Sequence, residues 1–223
     1  MILLSTKILD EELSRKLKRR FDYYEYDAIS IVSTPENMPD EIEHAIVTSQ
    51  NAAAAIGWTG SKIKNAYCVG PKTTAACKNL GADVKVTAPA ASILGQMIAR
   101  DYAHLSFTYL CGNLRLNTLP AKLDAAGVNY NEVTVYETRF NPRGFAKAQN
   151  IVLFYSPSGV ESFAESNRKA SYKHDGSIER IAICIGKTTC NAAEPFFDKV
   201  LQSEGTTIEK VVELALSLAP PRD

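Results

Sequence analysis

Short runs of strand-forming residues recur along the chain at 2–4, 29–32, 45–48, 66–69, 83–86, 109–111, 133–136, 151–155 and 181–185. Stretches of helical periodicity separate most of them. Leu13, Leu17 and Phe21 stand at four-residue steps, which stacks three apolar side chains on one face of a helix between two strands. Strand and helix taking turns in this way predicts an α/β fold built on parallel sheets. The strand runs are continuously apolar, a pattern that belongs to strands buried on both faces, so each sheet is expected to be doubly wound.

The pattern also repeats itself. ILLSTKILDEELSRKLKRRFDYYEYDAISI at the start matches TYLCGNLRLNTLPAKLDAAGVNYNEVTVY, aligning Leu4 with Leu110, Leu13 with Leu119 and Leu17 with Leu123. IVTSQNA (46–52) matches LFYSPSG (153–159), and AYCVGPKTTAA (66–76) matches AICIGKTTCNA (182–192), pairing Gly70 with Gly186 and Thr73 with Thr189. Three blocks in the same cyclic order predict two domains of one design. The order leaves two arrangements open. The first block folds with the two that follow it, giving contiguous domains that meet near residue 106, or it completes the last two. The second arrangement needs two chain crossings, around 26–33 and 131–140, each followed by a proline, Pro35 and Pro142, that stops a strand.

Charge and cysteine content narrow the function classes. Lys plus Arg equals Asp plus Glu at 25 each, so no global field draws the chain toward nucleic acid or an anionic membrane. Any anionic ligand has to be held by local groups. No apolar stretch approaches the roughly 20 residues of a membrane span and the start lacks a signal peptide's basic flank, so a cytoplasmic location is expected. Cys68, Cys77, Cys111, Cys184 and Cys190 form no CxxC pair and have no histidine at ligand spacing, so neither a zinc site nor a disulfide framework is expected. His44, His104 and His174 have no companion acid or nucleophile at a recognised spacing, which removes the hydrolase triad.

The repeated blocks place small polar residues directly after strands, where a doubly wound sheet exposes its carboxyl edge to ligands. These are Thr48-Ser49-Gln50-Asn51, Gly70-Pro71-Lys72-Thr73, Ser156-Pro157-Ser158-Gly159 and Gly186-Lys187-Thr188-Thr189. Each introduces a helical pattern whose first N–H groups lack intrahelical partners, a cradle for carboxylate or phosphate. The same residue types also serve as plain helix caps, and Ser158 with Glu161 has capping-box spacing. Gly186-Lys187-Thr188 resembles the end of a P-loop, but Ile181 stands where that motif needs glycine; Cys111-Gly112-Asn113 has one glycine where a dinucleotide fingerprint needs three. Lys187 and Arg115 follow strand-like runs and are candidate contacts to an anion. Tyr136, in VTVYET, is an ordinary strand residue, yet a phenol stays protonated at neutral pH and can donate a hydrogen bond to a departing hydroxyl.

Taken together, VTSQNA, YCVGPKTTAACKNLGA, YLCGNLRLNTLP, VTVYET, FYSPSGVESF and ICIGKTT resemble the uroporphyrinogen-III synthase family in order and spacing, over nearly the whole chain. The resemblance implies two doubly wound α/β domains joined by a two-stranded ladder: residues 1–25 with 141–223, residues 35–130, and a linker of 26–34 and 131–140, with the active site in the cleft between the domains. It further implies a lyase reaction in tetrapyrrole (heme) biosynthesis. Hydroxymethylbilane loses its terminal hydroxyl to give an azafulvene, the distal pyrrole attacks to form a spiro intermediate, and the ring recloses with its last pyrrole inverted. Neither metal nor other cofactor is implied, and the chain is expected to act as a monomer, with transient contact to hydroxymethylbilane synthase as a further expectation. Carried over by residue, Tyr136 assists departure of the hydroxide. The resemblance sets Ser49, Thr73, Asn113, Ser156, Ser158 and Thr189 around the cleft, and with Asn51, Arg115, Gly159, Lys187 and Thr188 from the reading of the strand ends above they are the expected substrate contacts. A two-domain binding protein for small anions, without catalysis, is the alternative from the residues alone.

Overall fold

The computed structural model describes residues 1–34, 36, 38–167 and 179–219; Pro35 and His174 lie outside them. The chain opens with β1 (Ile2–Ser5), α1 (Glu11–Lys18), β2 (Asp22–Glu25) and β3 (Ile29–Ser33). Then come β4 (Glu41–Val47), α2 (Gln50–Thr59), β5 (Lys62–Val69), α3 (Pro71–Asn79), β6 (Asp83–Ala88), α4 (Ala91–Asp101), β7 (Ser106–Gly112), α5 (Thr118–Ala125) and β8 (Asn129–Phe140). The last part holds β9 (Ile151–Phe154), α6 (Pro157–Asn167), β10 (Ile181–Cys184), α7 (Lys187–Ala193), a 3-10 turn (Glu194–Phe196), β11 (Lys199–Gln202) and α8 (Ile208–Ser217). No helix among the described residues is long and apolar enough to cross a membrane.

Two compact units divide the chain: Met1–Ser30 with Arg139–Asp223, and Ile31–Thr138. The first holds a parallel sheet in the order β11-β10-β9-β1-β2. In the second the order is β6-β5-β4-β7-β8, again parallel, with β3 added at the edge beside β8. Setting β9 against β4, β10 against β5, β11 against β6, β1 against β7 and β2 against β8 makes the two orders identical. These are the pairings of the sequence repeat, so the repeat is one of topology as well as of residues.

Both sheets are covered on both faces, as their continuously apolar strands predict. In the second unit Ala45 and Val47 of β4 face a cluster completed by Ala52 and Ile56 of α2 and Cys77 of α3. Ile46, between them, points the other way, to Leu94 and Ile98 of α4 and Leu119 and Leu123 of α5. The first unit repeats the arrangement. Leu4, Val152 and Phe154 pack on Val160 and Phe163 of α6, while Leu3, Ile151 and Leu153 pack on Leu13 and Leu17 of α1 and Val211 of α8. All nine expected strand runs coincide with strands. The sequence pattern gives no sign of β2 and β11: each is a four-residue edge strand with polar ends and incomplete burial, too short to stand out as an apolar run.

α1 shows how local chemistry fixes an element. The Asp10 carboxylate caps it by accepting from Leu13 N–H at 2.9 Å, Glu11 and Glu12 sit in its first turn, and Arg15, Lys16 and Lys18 sit in its last. The loop leading into it is pinned by Glu25, at the end of β2. Its Oε2 accepts from Leu9 N–H (3.0 Å), Ser14 Oγ (3.0 Å) and Tyr23 OH (2.8 Å). Burial pushes the Glu25 carboxyl up, but the three hydrogen bonds and nearby Lys18 outweigh it and hold the group below the usual carboxylate range. A depressed carboxyl stabilises the fold fully above its unfolded-state value of about 4.3, and that contribution is lost as pH falls through the lower folded value. Glu25→Gln is therefore expected to cost about 1 kcal/mol at neutral pH, the low end for a charged acceptor still in partial contact with water. Its deficit relative to the parent should begin to shrink below about pH 4 and be lost once pH falls past the depressed folded value. Denaturant midpoints across pH 3–7 test this, and a deficit that persists unchanged in acid contradicts it.

Candidate active site

In both sheets the chain reverses its direction of travel at one place, between β4 and β7 and between β9 and β1. There the connecting helices leave on opposite faces and a crevice opens beyond the strand carboxyl ends, where ligands bind in folds of this class. The site is therefore built first from the residues that end these four strands.

At the β4/β7 crevice, Ser49 follows β4 and caps α2, its Oγ accepting from Ala52 N–H at 3.1 Å. The same Oγ donates to the Tyr136 hydroxyl at 3.2 Å. Because Tyr136 accepts from Ser49, its own proton is left for a different partner. Tyr136 reaches the crevice from β8, and beside it the Asn113 backbone N–H donates to Tyr136 O at 3.3 Å. A cavity of about 350 Å³ opens here, lined by Thr48, Tyr109, Gly112, Arg115 and Tyr136 among others. Tyr109 OH and Thr48 Oγ1 lie 3.3 Å apart on its wall. Burial pushes the Tyr109 phenol up, so it remains a neutral hydrogen-bonding group. Arg115 is the cation at this cavity. Glu132 holds it from β8, with Oε2 2.6 Å from a terminal guanidinium nitrogen and 2.7 Å from Nε. An anion drawn to Arg115 has to share it with Glu132. A larger open depression, about 710 Å³, lies at the other edge of this sheet, near Glu41, Lys62 and Gly81. That edge carries the strand amino ends, away from the crevice.

The first unit has the matching crevice. Ser156 follows β9 and its Oγ accepts from Gly159 N–H at 3.1 Å, so Ser156, in the repeat position of Ser49, is the cap of α6. Ser158, with its capping-box spacing to Glu161, instead lies inside the helix, because Pro157 takes the first helical position, where a missing N–H is harmless. Ser158 Oγ still lies 3.1 Å from Ser156 Oγ. Tyr155 OH and Ser5 Oγ are 3.2 Å apart across β9 and β1. This repeats the phenol and aliphatic hydroxyl pair of Tyr109 and Thr48, with the strands exchanged. Burial pushes the Tyr155 phenol well above its ordinary range.

The expected residues thus fall into distinct situations. Ser49, Tyr136, Asn113 and Arg115 meet at one crevice. Asn51 is exposed in the first turn of α2, and Thr73 is buried, 4% exposed, at the start of α3 one strand further along. The Asn113 side chain is taken up by the Thr138 backbone, accepting from its N–H at 2.8 Å and donating to its carbonyl at 3.3 Å. Ser156, Ser158 and Gly159 gather at the head of α6. Lys187 and Thr188 are exposed on the first turn of α7, whereas Thr189 turns inward and is 1% exposed. The sequence pattern does not mark Tyr109, Tyr155, Gly112 and Glu132 as site residues. Tyr109 and Tyr155 look like core of an apolar run, and Glu132 is 17 residues from the arginine it holds. All five cysteines are buried, and burial pushes the Cys111 and Cys184 thiols up, in keeping with an inert role.

Comparison with known proteins bears on the whole of this arrangement. Among solved structures, the uroporphyrinogen-III synthetase of Helicobacter pylori aligns with a TM-score of 0.68 at 17% identity, covering 97% of this chain and 98% of that one. A mutant uroporphyrinogen III synthase from Thermus thermophilus aligns at 0.66 and 13% identity, and its wild-type form at 0.54 and 15%, each over 97% of both chains. At such identities the likeness is one of fold. The family model described as uroporphyrinogen-III synthase HemD matches residues 9–213, which takes in the β4/β7 crevice, Tyr136 and the β9 side of the other crevice. The chain belongs to the uroporphyrinogen-III synthase family, enzymes of heme biosynthesis.

Proposed function

We propose that this protein is a lyase that closes hydroxymethylbilane into uroporphyrinogen III, with loss of water and inversion of the last pyrrole through a spiro intermediate. The observation that carries the reading is the Ser49 to Tyr136 hydrogen bond at the β4/β7 crevice, which leaves the phenolic proton for a ligand. When the carbon–oxygen bond of the terminal hydroxymethyl group breaks, that proton joins the departing hydroxide to make water. The resulting azafulvene is attacked by the distal pyrrole. When the ring finally closes, the pyrrole α-carbon sheds a proton and the phenolate recovers one. Water is the sole molecule released and no electrons are transferred, so the chemistry calls on no redox group.

Most of the rate enhancement in this reading comes from holding a flexible octa-anion curled so that its two ends meet, which is catalysis by proximity. Helix starts at the strand ends of both units, the Ser49 and Ser156 caps and the Lys187 ammonium supply local attraction for substrate carboxylates in a chain of zero formal net charge. Arg115 adds a cation that Glu132 keeps oriented.

The test is to generate hydroxymethylbilane in place with its own synthase, add this protein, oxidise the products and separate the uroporphyrin isomers. Unassisted closure gives isomer I. Isomer III in proportion to added protein is the expected result. Isomer I alone, from demonstrably folded protein, overturns the reading and favours a binding protein without catalysis.

A further inference from the structure

We propose that Gly112 is a positioning residue for the Tyr136 hydroxyl, a role that rests on the reading of Tyr136 given above. Gly112 ends β7, and there the register with β8 slips: Cys111 stands opposite Thr134, but Gly112 stands opposite Tyr136. One extra residue, Val135, is accommodated on β8, and the bulge brings the tyrosine down onto the glycine. A methyl group placed on Gly112 would sit 2.4 Å from Cζ of Tyr136, 2.5 Å from Cε2 and 2.8 Å from the hydroxyl oxygen. The ring therefore fills the volume that any side chain at position 112 would take.

Glycine is not demanded here by the backbone. Among the described residues the glycines with positive φ are Gly60, Gly70, Gly81 and Gly127, and Gly112 is not one of them. Nor does the topology demand it. The repeat places Thr6 at the corresponding position after β1, and its Oγ1 donates to the Leu153 carbonyl at 2.7 Å. What distinguishes position 112 is the aromatic ring above it. That ring is tethered on its other sides, by Ser49 Oγ at 3.2 Å and by a backbone tied to Asn113 at Tyr136 O and at both polar groups of Thr138. An added methyl would force the ring to swing about χ1, breaking the Ser49 contact and carrying the hydroxyl out of register with the cavity.

The test is Gly112→Ala, assayed for isomer III formation beside Tyr136→Phe and, as a second background, Tyr136→Ala. Gly112→Ala is expected to lower kcat by roughly 100-fold with KM changed less than about three-fold, the penalty of a misplaced reacting group. In the Tyr136→Ala background the ring is gone, and the same methyl should change neither the thermal midpoint nor the residual rate. Three outcomes overturn the role: wild-type kcat for Gly112→Ala while Tyr136→Phe is slow, a raised KM with kcat intact, or an equal loss of rate or folding with and without the ring. Should Gly112→Ala alone fail to fold, recovery of folding in the Tyr136→Ala background supports the contact, and continued failure refutes it. A fully active Tyr136→Phe overturns the reading of Tyr136, and this role with it.

Discussion

Tyr136→Phe is expected to lower turnover by about two orders of magnitude while substrate affinity stays within about two-fold, the signature of a lost proton donor in an enzyme that works mainly by proximity. Phenylalanine keeps the ring over Gly112 and the register of β8, so the change removes one oxygen atom and little else. Ser49 loses an acceptor but is only half-buried, and water can replace the phenol for it. The residual product should still be isomer III wherever protein-bound closure outruns free closure, because curling the substrate does not depend on the hydroxyl. Single-turnover kinetics with a parallel binding titration separates these effects. Unchanged turnover would remove Tyr136 from the chemistry and leave the crevice as a binding surface only.

How much of this could be read from the sequence depends on whether the feature is local. Strands buried on both faces, such as Ile151–Phe154, announce themselves because every residue is apolar. Ser49 stands out because a cap is decided within three residues of itself, whereas the capping-box spacing points to Ser158 and Pro157 at the first helical position moves the cap to Ser156. β2 and β11 escape notice because an edge strand that is half exposed has no such run. The pairing of Arg115 with Glu132 depends on β7 and β8 lying side by side, and no helical or strand period links positions 115 and 132. Tyr136 is an intermediate case. Its place in a strand is plain from VTVYET, but a strand tyrosine is commonplace, and its candidacy comes from the family resemblance. Its particular geometry, accepting from Ser49 and lying on Gly112, needs the β-bulge, which leaves no mark in the sequence beyond a glycine that could equally have been a turn.

Phe154→Ala is the substitution expected to damage the fold most. Phe154 ends β9, is 0% exposed, and meets Phe163 edge-on at 5.6 Å and Phe197 at 5.4 Å. Truncation removes a buried ring from a cluster that also contains Leu4, Val152 and Ala182, so the cavity is bounded by strands that cannot collapse into it. The expected cost is about 3–5 kcal/mol, against a total stability of about 5–15 kcal/mol for an ordinary domain. Every residue of this cluster belongs to the unit formed by Met1–Ser30 and Arg139–Asp223, while Trp58, the single tryptophan, lies in α2 of the other unit. Two probes therefore divide the response. Urea unfolding followed by far-ultraviolet circular dichroism should show a component moved to much lower denaturant, while the Trp58 fluorescence transition moves less. A shift of under about 1 kcal/mol in the first would mean that the site relaxes around the missing ring, contrary to the packing argument. Equal shifts in both probes would mean that the two units unfold as one cooperative body, each depending on the other for stability.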